Sequence, residues 1–209
     1  MSTLTPITFK PKKAKKELKK YLALLRTRHL GEKKHILPFF AKHRQMAALA
    51  GCLFPEITNF DRIKTEWNVF DGLRADLVVG DSKKQAFIIV EFEDGRKNSL
   101  FKGKRRYPEW SQRYEHGFSQ IIDWVWKIAK RDTDLEFQTE FGSITPKFHF
   151  LLVVGRIAGV ATPREQHRLS WRNREVIVGG RRVECITFDE LAQRITDSIE
   201  FAATIAQVK

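Results

Sequence analysis

Two stretches of the chain are apolar almost without interruption: residues 87–92 (FIIVEF) and 148–154 (FHFLLVV), each bounded by polar or glycine-containing turns. That is the pattern of strands covered on both faces. Residues 73–79 read as another strand, with Asp76 inside it, and residues 66–70 as the strand before it. The Asp71-Gly72 pair between them is a hairpin signal. A turn over 80–85 then leads back into 87–92, so three consecutive antiparallel strands are expected. Residues 108–131 form one long helix, because Tyr114, Phe118, Ile121, Val125 and Ile128 recur at alternating spacings of four and three. Gln112, His116, Gln120 and Asp123 share a polar face of it. Ile122, Trp124 and Trp126 make it apolar elsewhere too, which places it between layers. Helical spacing also marks residues 37–53, closed by Pro55. Thr162-Pro163 with Glu165, and Thr187 with Glu190, are helix starts of the capping-box type, and the second opens a final amphipathic helix through Leu191, Ile195, Ile199 and Ala202. A short strand over 183–187 precedes it. Residues 1–9 read as a loose or edge segment, and 59–64 and 132–147 as polar connections.

Length adds the expectation of one main core in 209 residues, divided as a basic arm and helical extension over 1–58 and an α/β domain over 59–209. The 42% hydrophobic content excludes a disordered chain. Charge changes the picture more: 38 Lys and Arg against 25 Asp and Glu leave a net +13, which points to a polyanion such as nucleic acid. Residues 10–20 alone hold seven lysines, as a phosphate-following arm or the solvated face of a helix. No apolar run is long enough to span a bilayer, and the first residues have no secretory core. Cys52 and Cys185 match no zinc or disulfide spacing, so a reducing cytoplasm is the expected home.

The candidate chemistry lies in residues 66–93, where carboxylates interrupt segments built for burial. Alternation sends Glu91 and Glu93 to one side of their strand and Phe92 to the other. Antiparallel pairing brings Asp76 toward Glu91 and Glu66 toward Asp76. Converging carboxylates repel unless a proton or a cation separates them, and a hard divalent ion is the usual solution. The plainer alternative is a strand end whose acids reach water or Lys and Arg. The loop after Glu93 carries Arg96, Lys97, Lys102 and Lys104, suited to a phosphate backbone or to neutralising the acids. Arg164, Arg168 and Arg172 line one face of the helix that starts at Pro163, and they too suit phosphates or plain solvation.

These blocks, FDGLRADLVV (70–79), IIVEFED (88–94), EHGFSQIIDWVWK (115–127), FLLVVGR (150–156) and ITFDELAQR (186–194), resemble the C-terminal nuclease domain of the Shedu antiphage-defence proteins, within the PD-(D/E)xK superfamily. The resemblance spans roughly residues 60–200. It implies a nuclease core with a central mixed sheet flanked by helices, and Mg²⁺- or Mn²⁺-dependent hydrolysis of double-stranded DNA by a homo-oligomer. It also implies Asp76 as the motif Asp, Glu91 as the Glu of E-x-K, the Phe92 carbonyl and Glu66 as further metal ligands, and Gln120 as the helix Gln beside the site. Glu93 stands where that superfamily usually has Lys. Either Glu93 itself acts as base, or Lys97, Lys102 or Lys104 supplies the cation. Lys97, Lys102, Lys104, Arg105, Arg164 and Arg168 are the expected DNA contacts. About 60 residues precede the core, too few for a large sensing domain. Two rivals remain: a nucleic-acid-binding module whose E-x-E no longer cleaves, and an assembly domain using the basic arm and arginine face.

Overall fold

The computed structural model describes residues 3–27, 29–70, 72–103, 107–131 and 134–208, without the side chains of 205–208. In chain order these are strand β1 (Thr5–Pro6), helix α1 (Pro11–Leu24), a π-helical turn (Glu32–Ile36), α2 (Leu37–Lys42), α3 (Arg44–Ala48), a 3-10 turn (Leu49–Leu53), β2 (Arg62–Asn68), β3 (Arg74–Asp81) and β4 (Ala86–Phe92). Then come β5 (Phe101–Lys102), β6 (Glu109–Trp110), α4 (Gln112–Ala129), α5 (Leu135–Phe141), β7 (Lys147–Val153), a 3-10 turn (Ile157–Gly159), α6 (Pro163–Glu175), β8 (Ile177–Val178), β9 (Arg181–Ile186) and α7 (Phe188–Val208).

Seven strands form one mixed sheet in the order β1-β2-β3-β4-β7-β9-β8, and β5 and β6 make a separate ribbon. β2, β3 and β4 are antiparallel neighbours, whereas β4-β7 and β7-β9 are parallel. Every residue of β4 is buried, as its unbroken apolar run predicts. Its alternation divides the core into two layers. Ile88, Val90 and Phe92 pack with α1, the α2–α3 region and α7, while Phe87 and Ile89 pack with α4, α5 and α6. Glu91 and Glu93 continue the second row, so they enter the layer that holds α4.

Several expectations change. β2 begins at Arg62 instead of 66, because Ile63 is needed as partner for both Thr5 and Val79. α4 covers one face of the sheet and is not sandwiched: Trp126 is half exposed, with the ammonium groups of Lys127 and Lys130 at 5.1 and 4.2 Å from its ring centre. The segment read as a polar connection holds α5, fixed by Phe137 and Phe141 on its inner side. The helical stretch over 37–53 is broken at His43 into shorter turns. In α1, Ala14, Leu18 and Tyr21 face inward while its lysines stay on the exposed side. The Thr162–Glu165 capping box is complete in both directions. Among the described residues, no helix is long and apolar enough to cross a membrane.

Candidate functional site

The β3–β4 ladder is paired from Asp81↔Ala86 to Leu77↔Val90. One residue further on, Asp76 and Glu91 face each other, and the Asp76 side chain replaces the next ladder bond: Phe92 N–H donates to its Oδ2 at 2.8 Å. Asp76, by its charge and by its side-chain contact, makes the Glu91 proton harder to lose. Burial, more than any other influence, raises the Asp76 pKa to about 7; the Phe92 N–H opposes this, and Glu32, Glu93 and Glu66 add to it. Burial likewise raises Glu91 well above the ordinary carboxylate range, followed by the charges of Asp76, Glu93 and Glu32. Both acids thus keep their protons to higher pH than free carboxyls do, and they titrate as a coupled pair.

Glu91 Oε2 is buried with no hydrogen-bond partner, and so is Gln120 Oε1 on α4. Buried acceptors without donors are costly, and a cation beside Asp76 and Glu91 would relieve the Glu91 oxygen. The donor set fits a hard ion: the Asp76 and Glu91 carboxylates and the carbonyl of Phe92, the next residue, are all oxygen. Among the described residues, no three His, Cys, Asp or Glu side chains are grouped to hold an ion by themselves. An ion here would therefore be held by Asp76, Glu91 and backbone or amide oxygen, with water and substrate supplying the remainder, the habit of Mg²⁺.

Glu93 is 1% exposed and bonded through both oxygens. Oε1 lies 2.6 Å from His116 Nδ1, and Oε2 lies 3.3 Å from Arg113 Nη1. This changes the expectation that Glu93 itself meets water; the exposed group of the pair is the His116 ring. α4 approaches this closely because residue 117 is glycine. A Cβ there would stand 2.6 Å from Leu152 Cδ1 and 3.0 Å from Glu93 Cγ.

Two participants were not found from the sequence. Glu32, from the π-helical turn, is placed by its own N–H donating to Asp94 Oδ1 at 3.0 Å and by the Leu30↔Gly95 bridge. Burial, then Glu93, raises its pKa. Arg113 joins Glu32, Glu93 and Asp94 at 3.4, 3.3 and 3.7 Å. Local pattern gives no signal for either residue, since they meet only in three dimensions. An isolated acid after Gly31 in a lysine-rich run was the sole hint.

The remaining expected residues fall at the rim or away from it. Glu66 lies between the pairs Thr65↔Leu77 and Trp67↔Ala75 with φ 50°, and its largely exposed carboxylate pairs with Arg74 at 3.4 Å, outside the buried pair. Lys97 and Lys102 are exposed and make no ion pair with a described carboxylate. Lys104 and Arg105, like Asp71 of the hairpin turn, lie outside the described residues. Arg164 and Arg168 stand over aromatic rings, Arg164 over Tyr107 at 4.4 Å and Arg168 over Phe101 and Trp110 at 5.1 Å.

The sequence model of one protein family, described as Shedu protein SduA, C-terminal, matches residues 12–192. The match takes in α1 and the Glu32 turn as well as the sheet, more than the 60–200 span read from the sequence. No curated protein matches the chain.

Proposed function

The chain belongs to the Shedu protein SduA C-terminal family, which implies a role in antiphage defence, and on that premise we propose that it is a metal-dependent DNA endonuclease with a PD-(D/E)xK core. The observation that carries this reading is the Asp76–Glu91 pair: two carboxyls facing each other on adjacent strands, both pushed upward in pKa by burial, with Glu91 Oε2 unpartnered in the interior. Structural acids are not built this way, because the interior penalises them unless donors surround them.

Asp76, Glu91 and the Phe92 carbonyl would hold Mg²⁺ or Mn²⁺. Such an ion supplies Lewis acidity toward a phosphodiester and lowers the pKa of water. The chain's own residues do the rest. Glu93 fixes the His116 ring through Nδ1, leaving Nε2 to accept a proton from water at the open side of the site. Arg113, half exposed beside Glu93, offers its guanidinium edge to a phosphate oxygen. Gln120, whose Oε1 is buried and unpartnered on α4, would be the amide oxygen of the site. Double-stranded DNA as substrate, self-association and a cytoplasmic setting complete the proposal, supported by the net +13 charge and by the family resemblance.

A second reading, a DNA-binding module that no longer cuts, draws on one observation. The position of the usual Lys is Glu93, tied up by Arg113 and His116. Incubating purified protein with supercoiled plasmid in Mg²⁺, Mn²⁺ or chelator, beside Asp76→Asn, separates the two. Cutting that needs both metal and Asp76 supports the nuclease. Salt-sensitive binding without cutting supports the module.

A further inference from the structure

The face of α6 turned toward the β5–β6 ribbon has a composition that neither the acid pair nor the core requires. His167, Arg168, Trp171 and Arg172 follow one another at helical spacing, and with Trp110 and Val176 they line an open groove of about 490 Å³. Trp171 is 51% exposed, and Leu169 is the only fully buried residue of the helix. The rest of the groove is rigid. Trp110 is stacked between Phe101 and Tyr114, with ring centres at 4.5 and 4.4 Å. The Arg172 guanidinium lies 4.9, 4.6 and 4.4 Å from Trp110, Tyr114 and Phe118, and is anchored by Glu115 at 3.0 Å. Arg168 donates to the Pro108 carbonyl while its plane lies 5.1 Å from two rings. Flat aromatic and guanidinium surfaces are thus held in place before any ligand arrives, with positive charge at their edges.

We propose that this groove receives an unpaired nucleobase of the nucleic-acid substrate, stacked against Trp171 beside the Trp110–Arg168–Arg172 platform. This rests on the reading of the chain as a nucleic-acid enzyme and names the feature it selects, a single-stranded nucleotide next to the cutting site. Every base has a π face that stacks on aromatic or Arg planes, whereas bases inside a duplex are already stacked on their neighbours and cannot reach a groove. The charge is complementary: the chain carries +13, and Arg168 and Arg172 line the groove. The start of α4 contacts both regions: Glu115 anchors Arg172 of the groove, and the next residue, His116, has its ring bonded to Glu93.

The test is fluorescence anisotropy with the full chain in chelator, so that cutting plays no part. Two labelled DNAs are compared, a blunt duplex and the same duplex with a short unpaired thymidine tail. The tailed duplex is expected to bind roughly tenfold more tightly. Trp171→Ala should abolish the preference and Trp171→Phe should keep most of it, while Trp126→Ala, which removes another exposed indole, should leave it intact. Equal binding of the two DNAs by the unaltered chain overturns the proposal, as does a preference that survives Trp171→Ala. A Trp171→Ala effect confined to the sedimentation coefficient also overturns it and makes the groove a contact between copies of the chain. Failure to bind either DNA would remove the nucleic-acid reading itself, an outcome distinct from binding without preference.

Discussion

Asp81 and Asp76 stand near opposite ends of β3, yet the chain treats them in opposite ways. Burial pushes the Asp81 pKa up, but Thr58 N–H, Thr58 Oγ1, Asn59 N–H and Lys84 N–H all donate to it at 2.9–3.0 Å, and the net result is a carboxyl held below its ordinary range. Asp76 receives one backbone N–H and otherwise meets other acids, so burial dominates and its pKa reaches about 7. Residue type and strand are the same, and the number of donors decides. Asp81 is an internal fastener that ties the 58–59 segment and the β3–β4 turn to the sheet. The Asp76–Glu91 pair is left short of positive charge, which suits a site that obtains it from outside.

The largest expected effect separates the two acids by activity. If the chain is the proposed nuclease, Asp76→Asn or Glu91→Gln should lower DNA cleavage by about 10³-fold or more, since each removes a carboxylate that would hold an ion worth several kcal/mol of transition-state stabilisation. Neither substitution should reduce the melting temperature in chelator. Undiminished plasmid cutting by either variant would erase the distinction. Asp81→Ala should behave in the reverse manner. It strands three backbone donors, and urea denaturation is expected to show a loss of about 3 kcal/mol with activity per folded molecule unchanged.

The smallest effect is a pH dependence. Folded Asp76 releases its proton at about pH 7 rather than near the ordinary 3.8. Between those values the folded state binds more protons than the unfolded one, and stability falls as pH rises through the window. Removing the charge therefore helps most above pH 7. In chelator, Asp76→Asn should melt about 5 °C higher than the unaltered chain at pH 8 and at nearly the same temperature at pH 4. A gap that is constant with pH would mean that Asp76 is not held protonated.

Much of this contrast is legible before folding. β4 and β7 announce themselves as apolar runs, and the stripe of α4 follows from its spacing. Asp76 and Glu91 stand out because a carboxylate inside a buried strand needs a physical reason. What could not be read depends on distant partners. Arg62–Lys64 look polar but become strand because β1 lies along them. α5 is too short to declare itself against the cost of nucleation, and it exists because Phe137 and Phe141 are clamped by Trp67, Phe70 and Phe87. Asp81 resembles Asp76 in sequence, and only the Thr58 and Asn59 donors reveal its role. Glu32 and Arg113 reach the site from an irregular turn and an exposed helix face. Glu93, suited in sequence to meeting water, is turned by those same contacts into the support of His116.

Calorimetric titration of the full chain with Mn²⁺ near pH 6.5, in two buffers of different ionisation heat, reads whether the acid pair takes up an ion in place of its protons. Saturable binding that releases protons held by Asp76 and Glu91 is the expected result, with loss of that binding in Asp76→Asn. Binding without proton release, or binding that Asp76→Asn leaves unchanged, would contradict it.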